Sequence, residues 1–407
     1  MTITPIEPIV PGSQLYTRKG MYSVQVEIPP ESTLTERDID SILAYASWEN
    51  DPNTAERIEG GRSIVIGREQ PRALKGLELK ALQISGICYN RVDFERGSIA
   101  SYKEGVSLTP PSVDNFMDDV SSDKMLMATT VVDDGKLVDM RPSYRAKGTY
   151  LESELKTKVK KTRVAASLHI HNLVASPIEA VGRYLDKGLS DKGKQFGFVV
   201  VPIPDVTKER LIGEIYKDFG KKLKSQTNIS PEQKLMLLFS TCGLAVAPLY
   251  EGLRELHEQG RHVHFQAHLS NAYSMGSRIY MMDWSTMQEL NGKPNERLLK
   301  RAVDIQKPTQ NLCSIFAHSF GMSKEGIRRI NPVFVTFGLE LYRGGNEEIT
   351  TDDLWDRADE AGVKVMDDFD LIVQWMKDQG YEGFEKYAPK PIDMGALLTK
   401  LRRAKPF

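Results

Sequence analysis

Short β-prone segments recur in the first half of the chain, and those at 22–28 and 77–82 alternate apolar with polar positions, which is typical of half-buried β-strands. The pattern predicts strands at residues 22–28, 63–66, 77–84, 178–184 and 196–203. Pro29-Pro30 ends the first stretch and favours an edge position for it. Thr35 and Asp38 form a capping-box pattern before an amphipathic helix. Residues 150–166 predict a second helix, with Leu151, Leu155 and Val159 spaced four residues apart.

The second half of the chain reads mainly as helix. Its longest apolar run, Leu235 to Tyr250, contains Ser240, Thr241, Gly243 and Pro248 and is too short and interrupted to span a bilayer. It therefore predicts a buried helix, which Gly260 ends. Further helical segments are expected after Met287.

Composition and charge narrow the functional classes. The 407 residues carry a formal net charge of −1, so no global field favours nucleic acid or an anionic membrane as a partner. The cysteines, Cys88, Cys242 and Cys313, are widely separated, which indicates a reducing compartment. No charged-then-apolar signal segment opens the chain, and a cytoplasmic location is expected.

The stretch from Arg261 to Met287 carries the candidate chemistry. Two short apolar segments flank the polar loop His268-Leu-Ser-Asn271, and the second of them, Ile279 to Met282, is followed by Asp283. A loop amide and a carboxylate at a strand end are oxygen ligands suited to Mg²⁺ bound with nucleotide phosphates. Asn271 and Asp283 are therefore the predicted metal ligands.

This stretch resembles the pattern H-G-D-x-H-x-x-N, about ten residues and an apolar run ending in I-D, of small-molecule kinases with a protein-kinase-like fold. His264, His268, Asn271 and Asp283 match it, and Gln266 stands at the position of the catalytic aspartate. The run LELKALQISGICYNR is similar to the lysine strand of the selenoprotein O family of pseudokinase-like adenylyltransferases. The loop from Gln266 to Asn271 also resembles that of aerobactin-type siderophore synthetases.

The resemblance implies an α+β, two-lobed protein-kinase-like fold. Its expected parts are a loose N-terminal arm (1–20), a sheet-rich N-lobe (21–204) with an insertion at about 90–148, a helical C-lobe (205–395) and a basic tail (396–407). The cleft would bind ATP with Mg²⁺ or Mn²⁺. Lys80 would hold phosphates, with Lys75 as a competing candidate, and Glu154 would orient Lys80. The remaining expected site residues are the nucleotide-binding Gly60, Gly61 and Gly67 and the loop residues Gln266 and His268.

The implied function is transfer of AMP or a phosphoryl group from ATP to an unknown protein or small-molecule acceptor. Because an amide such as Gln266 cannot accept a proton as a carboxylate does, ordinary hydroxyl phosphorylation is not the leading expectation. An ATP-dependent ligase and a catalytically silent pseudokinase that binds partners remain open. A metallohydrolase is a further alternative, because His262, His264 and His268 fall within seven residues and imidazoles bind Zn²⁺ or Fe²⁺.

Overall fold

The structure is a computed structural model, and it describes about a third of the predicted insertion at 90–148 and, beyond residue 311, residue 342. The described residues are 7–57, 63–90, 108–114, 130–133, 136–139, 145–147, 149–186, 190–191, 194–204, 212–228, 246–265, 267–275, 278–293, 297, 300–301, 304–305, 307–309, 311 and 342.

Within these residues the fold is mixed α+β. The helices are α1 (Glu36–Ala46), α2 (Glu152–Ser167), α3 (Ile212–Ser225) and α4 (246–258). The strands, in chain order, are β1 (Gln14–Lys19), β2 (Ser23–Ile28), β3 (Glu56–Arg57), β4 (Ser63–Leu74), β5 (Leu77–Ser85), β6 (Tyr89–Asn90), β7 (Leu108–Thr109), β8 (Ser112–Asp114), β9 (Thr130–Asp133), β10 (Lys136–Asp139), β11 (Arg145–Lys147), β12 (Tyr150–Leu151), β13 (Leu173–Ala175), β14 (Ala180–Tyr184), β15 (Ser190–Asp191), β16 (Lys194–Ile203), β17 (His262–Val263), β18 (Ala272–Ser274), β19 (Ile279–Met281) and β20 (Gln288–Glu289).

The main sheet is antiparallel, in the order β1-β2-β14-β16-β5-β4-β3, with β12 and β15 also pairing with β16. β4 and β5 form a hairpin whose turn, Lys75-Gly76, has positive φ at both residues (48° and 82°). Two-residue hairpin turns of this kind follow the natural twist of the strands. The β4–β5 pairing shifts register between Gly67 and Arg72, so β4 is a longer and more irregular strand than the predicted segment 63–66.

The sheet buries both of its faces. On one face Leu82, Ile84 and Phe198 pack with Ile39 and Ile42 of α1. On the other face the core joins α2 and the β18–β19 hairpin to the sheet; its members include Leu79, Ala81, Val199, Leu155, Val159, Tyr280 and Met282. The candidate site therefore lies beside the second face.

Helix α1 begins as the sequence predicts. The amide of Asp38 donates to Thr35 Oγ1 at 3.2 Å, and the amide of Thr35 donates to Asp38 Oδ2 at 3.1 Å. This reciprocal pair satisfies two amides that the first turn of a helix leaves without partners.

The edge of the sheet differs from the prediction. Gln14–Lys19, part of the segment expected to be a loose arm, forms the edge strand β1, so β2 is an inner strand between β1 and β14. Arg18 ties β1 to the region of α1 through Asp40 and Glu49, both at 2.6 Å. β1 is largely exposed and has no apolar face, which is why hydrophobic alternation does not reveal it.

A smaller sheet links the predicted N-lobe to the part of the chain after residue 204. β13 pairs in parallel with β19, and β19 pairs antiparallel with β18. Tyr280 in β19 also donates its hydroxyl hydrogen to the carbonyl of Pro202, near the end of β16, at 2.5 Å. Among the described residues, no helix has the length and hydropathy needed to cross a membrane.

Candidate functional site

The β18–β19 hairpin brings the two predicted metal ligands to one end. Ala272 pairs with Met281, and the amide of Met282 donates to the carbonyl of Asn271 at 3.0 Å. Asp283 is the next residue, so it lies within one residue of Asn271 across the strand pair. Asn271 ends a 3₁₀ turn, and its side-chain amide has no hydrogen-bond partner among the described residues. Asn271 and Asp283 are therefore neighbours at the open end of the hairpin, and both side chains carry hard oxygens of the kind that divalent cations prefer.

Asp283 is held in its ionised form. Burial would raise the pKa of its carboxyl, but the Lys158 ammonium, Nζ to Oδ1 at 3.4 Å, and the amide of Ser285, at 3.1 Å, lower the pKa well below the usual range. The side chain remains 27% exposed. A ligand that approaches from solvent can reach this carboxylate without first removing a proton.

Lys158 comes from α2 and not from a strand. It is 8% exposed, and its ammonium also lies 5.3 Å from the centre of the Tyr150 ring. Lys161, one turn further along α2, has its pKa lowered by burial, while the charge of Asp283 acts in the opposite direction. Lys161 lies on the same side of α2 as Lys158, since residues three apart share a helix face, while Lys158 makes the ion pair with Asp283.

The loop before Asn271 is fixed by a buried carboxylate. Asp304 is fully buried and accepts the backbone amides of His264 and Phe265, both at 2.7 Å. The carbonyl of His264 accepts the hydroxyl of Thr286 at 2.7 Å. Phe265 is held at φ 64°, a conformation that costs a bulky residue about 1–3 kcal/mol and persists only where the surroundings enforce it. Such strain concentrates at functional loops.

Asp304 is itself positioned by a buried chain of side chains. His257 Nε2 lies 2.9 Å from Asp304 Oδ2, and His257 Nδ1 lies 2.9 Å from the hydroxyl of Tyr342. All three groups come from segments outside the loop. The sequence patterns missed this network because its members are separated by up to 85 residues.

His262, His264 and His268, which the metallohydrolase alternative requires, form no transition-metal cluster within the described part of the chain. His264 is fully buried against the Trp284 ring, 4.5 Å between centroids, and burial lowers its pKa so that it is neutral at pH 7. His262 Nδ1 contacts the carbonyl of Gly260 at 2.5 Å. His268 is half-buried and precedes the 3₁₀ turn, where its carbonyl accepts the amide of Asn271 at 2.9 Å. No group of three or more His, Cys, Asp or Glu side chains suited to a metal occurs in the described part of the chain.

The expected Lys80–Glu154 pair is not formed, and this corrects the sequence prediction. Lys80 is 55% exposed and pairs with Glu78 at 2.9 Å. It alternates with Leu79 and Ala81 of the core beside α2, so it lies on the opposite face of β5 from Asp283. Glu154 instead accepts the amide of Leu151 at 2.9 Å and caps the start of α2.

Of the three glycines predicted to bind nucleotide, Gly67 lies within the described residues. Gly67 lies in β4, paired with Ala81, and is not part of a turn. Gly60 and Gly61 lie outside the described residues, as does Gln266. The alternative lysine, Lys75, occupies the β4–β5 turn, where its carbonyl accepts the side chain of Arg278 at 2.6 Å.

A cavity of about 490 Å³ lies on the far side of α2 from Asp283, lined by Glu7, Pro8, Ile9, Lys156, Val159, Lys160 and Arg163. The basic residues of α2 are therefore divided between two faces of the helix; they are Lys156, Lys158, Lys160, Lys161 and Arg163. The spacing of Lys158 and Lys161 within that run is the sequence signal that could have indicated them, because it separates them from Lys156 and Lys160 on a helix.

Comparisons with known proteins leave the family open. The sequence matches no protein-family model and no curated protein. Among solved structures a glucosamine kinase is similar, with a TM-score of 0.31, 9% identity, and coverage of 97% of this chain and 92% of that chain. A TM-score this low does not establish a shared fold, so function has to be inferred from the geometry of the site.

Proposed function

We propose that this chain is an ATP- and divalent-metal-dependent transferase with a two-lobed, kinase-like arrangement, in which Asn271 and Asp283 hold Mg²⁺ or Mn²⁺. The observation that carries the proposal is the end of the β18–β19 hairpin. There, an amide and an ionised, partly exposed carboxylate lie beside a strained loop that Asp304 clamps. The order of elements also supports it: α4, loop, hairpin and aspartate follow one another along the chain.

The bound metal would neutralise charge on the phosphates of ATP, and charge stabilisation is usually the largest single contribution to phosphoryl-type transfer. The residues of this chain would position that metal. The hydrogen bonds from the amides of His264 and Phe265 to Asp304 fix the backbone at the start of the loop that leads to Asn271. The buried His264, whose pKa is lowered by burial, packs against the Trp284 ring beside this loop.

The amide side chain of Gln266 indicates which transfer reaction to expect. An amide can orient a group by hydrogen bonding but takes no proton at neutral pH. Transfer of AMP, or of a phosphoryl group to an acceptor that needs no strong base, fits this position better than ordinary hydroxyl phosphorylation. The acceptor is a protein or small molecule.

The first test is metal-dependent nucleotide binding. A ligand that binds only the folded state at 100 times its Kd stabilises it by about 2.7 kcal/mol, so ATP with Mg²⁺ or Mn²⁺ should raise the melting temperature. Asp283→Ala should abolish this rise, whereas Asp40→Ala, at an exposed carboxylate that pairs with Arg18, should keep it. No shift for the wild-type chain in either metal would refute the proposal.

Product analysis separates the remaining functions. Mass spectrometry after incubation with ATP and metal identifies an AMP adduct, a phosphorylated product or a ligation product. Asp283→Ala should form none of them, and Gln266→Ala should retain activity. Binding without any product across a broad panel of acceptors would instead favour a silent pseudokinase, and new kinase activity in Gln266→Asp would identify a site that lacks only its base.

A further inference from the structure

The lysines of α2 divide into two sets by helix geometry. At 100° per residue, Lys158 and Lys161 lie about 60° apart, while Lys156 and Lys160 lie on the opposite side. The contacts agree with this division: Lys158 pairs with Asp283, and Lys156 pairs with Glu152 at 2.9 Å in a mostly exposed contact. Only the first set can act at the candidate metal site.

A nearly buried lysine beside a carboxylate is weak evidence for a purely stabilising role. Removing both charges from water costs several kcal/mol per ion, and an apolar pair of similar volume is often as stable. At 3.4 Å the contact between Lys158 and Asp283 is also longer than the usual 2.7–2.9 Å of a charge-assisted hydrogen bond. The pair is thus a loose one, which a stronger partner for either group can separate.

We propose that Lys158 and Lys161 are the phosphate-binding lysines of the site, and that Lys158 exchanges its contact with Asp283 for the phosphates of a metal-bound nucleoside triphosphate. This inference rests on the function proposed above. It gives α2 the role that the resemblance to kinase-like families implies for Lys80, which lies on the other face of β5.

The charges explain why metal and nucleotide must arrive together. Asp283, Lys158 and Lys161 sum to about +1 at pH 7. A divalent cation alone would raise this to +3 and would place a second cation close to Lys158, an unfavourable arrangement at short range. The complex of a divalent cation with a triphosphate carries about two negative charges, gives Lys158 new partners and leaves Asp283 to the metal.

Binding measurements on four single variants test the exchange. Mn²⁺ binding alone is followed by electron paramagnetic resonance, and binding of Mn²⁺ with non-hydrolysable ATP analogue by calorimetry. We expect Lys158→Met to weaken binding of the Mn²⁺–nucleotide complex by about tenfold or more, since one charge-assisted contact is lost. It should strengthen binding of Mn²⁺ alone, because the competing ammonium is gone. Lys161→Met should weaken the complex without strengthening Mn²⁺ alone to the same degree.

Lys160→Met, on the other side of α2, and Lys80→Met, on the other face of β5, are the matched controls and should change neither affinity by more than about twofold. If Lys158→Met does not melt cooperatively, Lys161→Met decides the assignment. The inference is overturned if Lys158→Met and Lys161→Met both bind the complex as tightly as the wild type, or if a control variant loses as much affinity as they do. In either case, nucleotide binding by the wild-type chain still supports the proposed function. Absence of nucleotide binding by the wild-type chain overturns both.

Discussion

Replacing Asp304 by asparagine is the sharpest test of how the loop is built. The substitution keeps the size of the side chain but removes its charge and one of its two acceptor oxygens. In the structure both oxygens are used, one by the amide of Phe265 and the other by the amide of His264 and by His257. An asparagine can accept one of the two loop amides, and its own NH₂ group then faces the other.

The expected loss follows from these contacts. A hydrogen bond to a charged group contributes about 1.5–3 kcal/mol, and a buried amide left without a partner costs about 1–3 kcal/mol. Because one of the two amide contacts is lost and the other is weakened, Asp304→Asn should destabilise the fold by about 3 kcal/mol. Phe265, no longer held at φ 64°, should relax toward an ordinary conformation and release part of its strain.

Hydrogen exchange provides the local measurement. Peptides covering residues 261–271 should exchange faster in Asp304→Asn, while peptides covering β14 and β16 should be unchanged if the effect is local. Tyr342→Phe is the graded control, since it removes one hydroxyl from the far side of His257 and leaves both loop amides paired. It should cost about 0.5–1.5 kcal/mol, as for a typical single hydrogen bond.

Two results would refute this reasoning. The first is an Asp304→Asn protein that melts like the wild type and protects the loop amides equally. The second is a Tyr342→Phe protein that loses as much loop protection as Asp304→Asn, which would show that the network and not the carboxylate holds the loop. Either would also remove the support that the strained loop gives to the proposed function.

Two further predictions concern the main sheet. A Cβ at Gly182 would lie 1.9 Å from Phe198 Cζ, so Gly182→Ala should lower the free energy of unfolding by about 3 kcal/mol in denaturant titrations. A Cβ at Gly67 would have no atom within 4 Å, so Gly67→Ala should change that free energy by less than about 0.5 kcal/mol. Equal effects of the two substitutions would show that the close packing at Gly182 is not as described. Burial would raise the pKa of Glu179, but the amide of Thr33 and the charge of Arg72 lower it below the usual 4.5. Its stabilisation is therefore complete above pH 4.5 and is lost as the pH falls through the lowered pKa. Glu179→Gln should cost about 3–5 kcal/mol at pH 7 and flatten the stability profile in acid, and a profile as steep as that of the wild type would contradict this assignment.

The candidate metal ligands could be predicted from local sequence because their placement depends on local structure. Asn271 and Asp283 flank a hairpin of two short strands, and the pairing of those strands is sufficient to bring them together. The capping box of α1 was predictable for the same reason, since its two hydrogen bonds join residues three apart.

The lysine that we propose as the phosphate ligand, Lys158, could not be predicted in this way. Strand alternation correctly placed Lys80 opposite Leu79, but alternation does not say which face of a sheet a distant segment will cover. That depends on the packing of α2 and the β18–β19 hairpin against Leu79 and Ala81, which leaves Lys80 on the other side.

The sequence by itself thus determined the α+β class, the main strands, the start of α1 and the proximity of Asn271 to Asp283, because these depend on periodicity, capping and short-range pairing. Only the tertiary structure decided that Lys158 is the partner of Asp283 and that Asp304 holds the loop. The two contacts join residues 125 and 40 positions apart, and they form because separate elements pack around a shared core. That packing buries the charged groups, and a buried charge needs a partner.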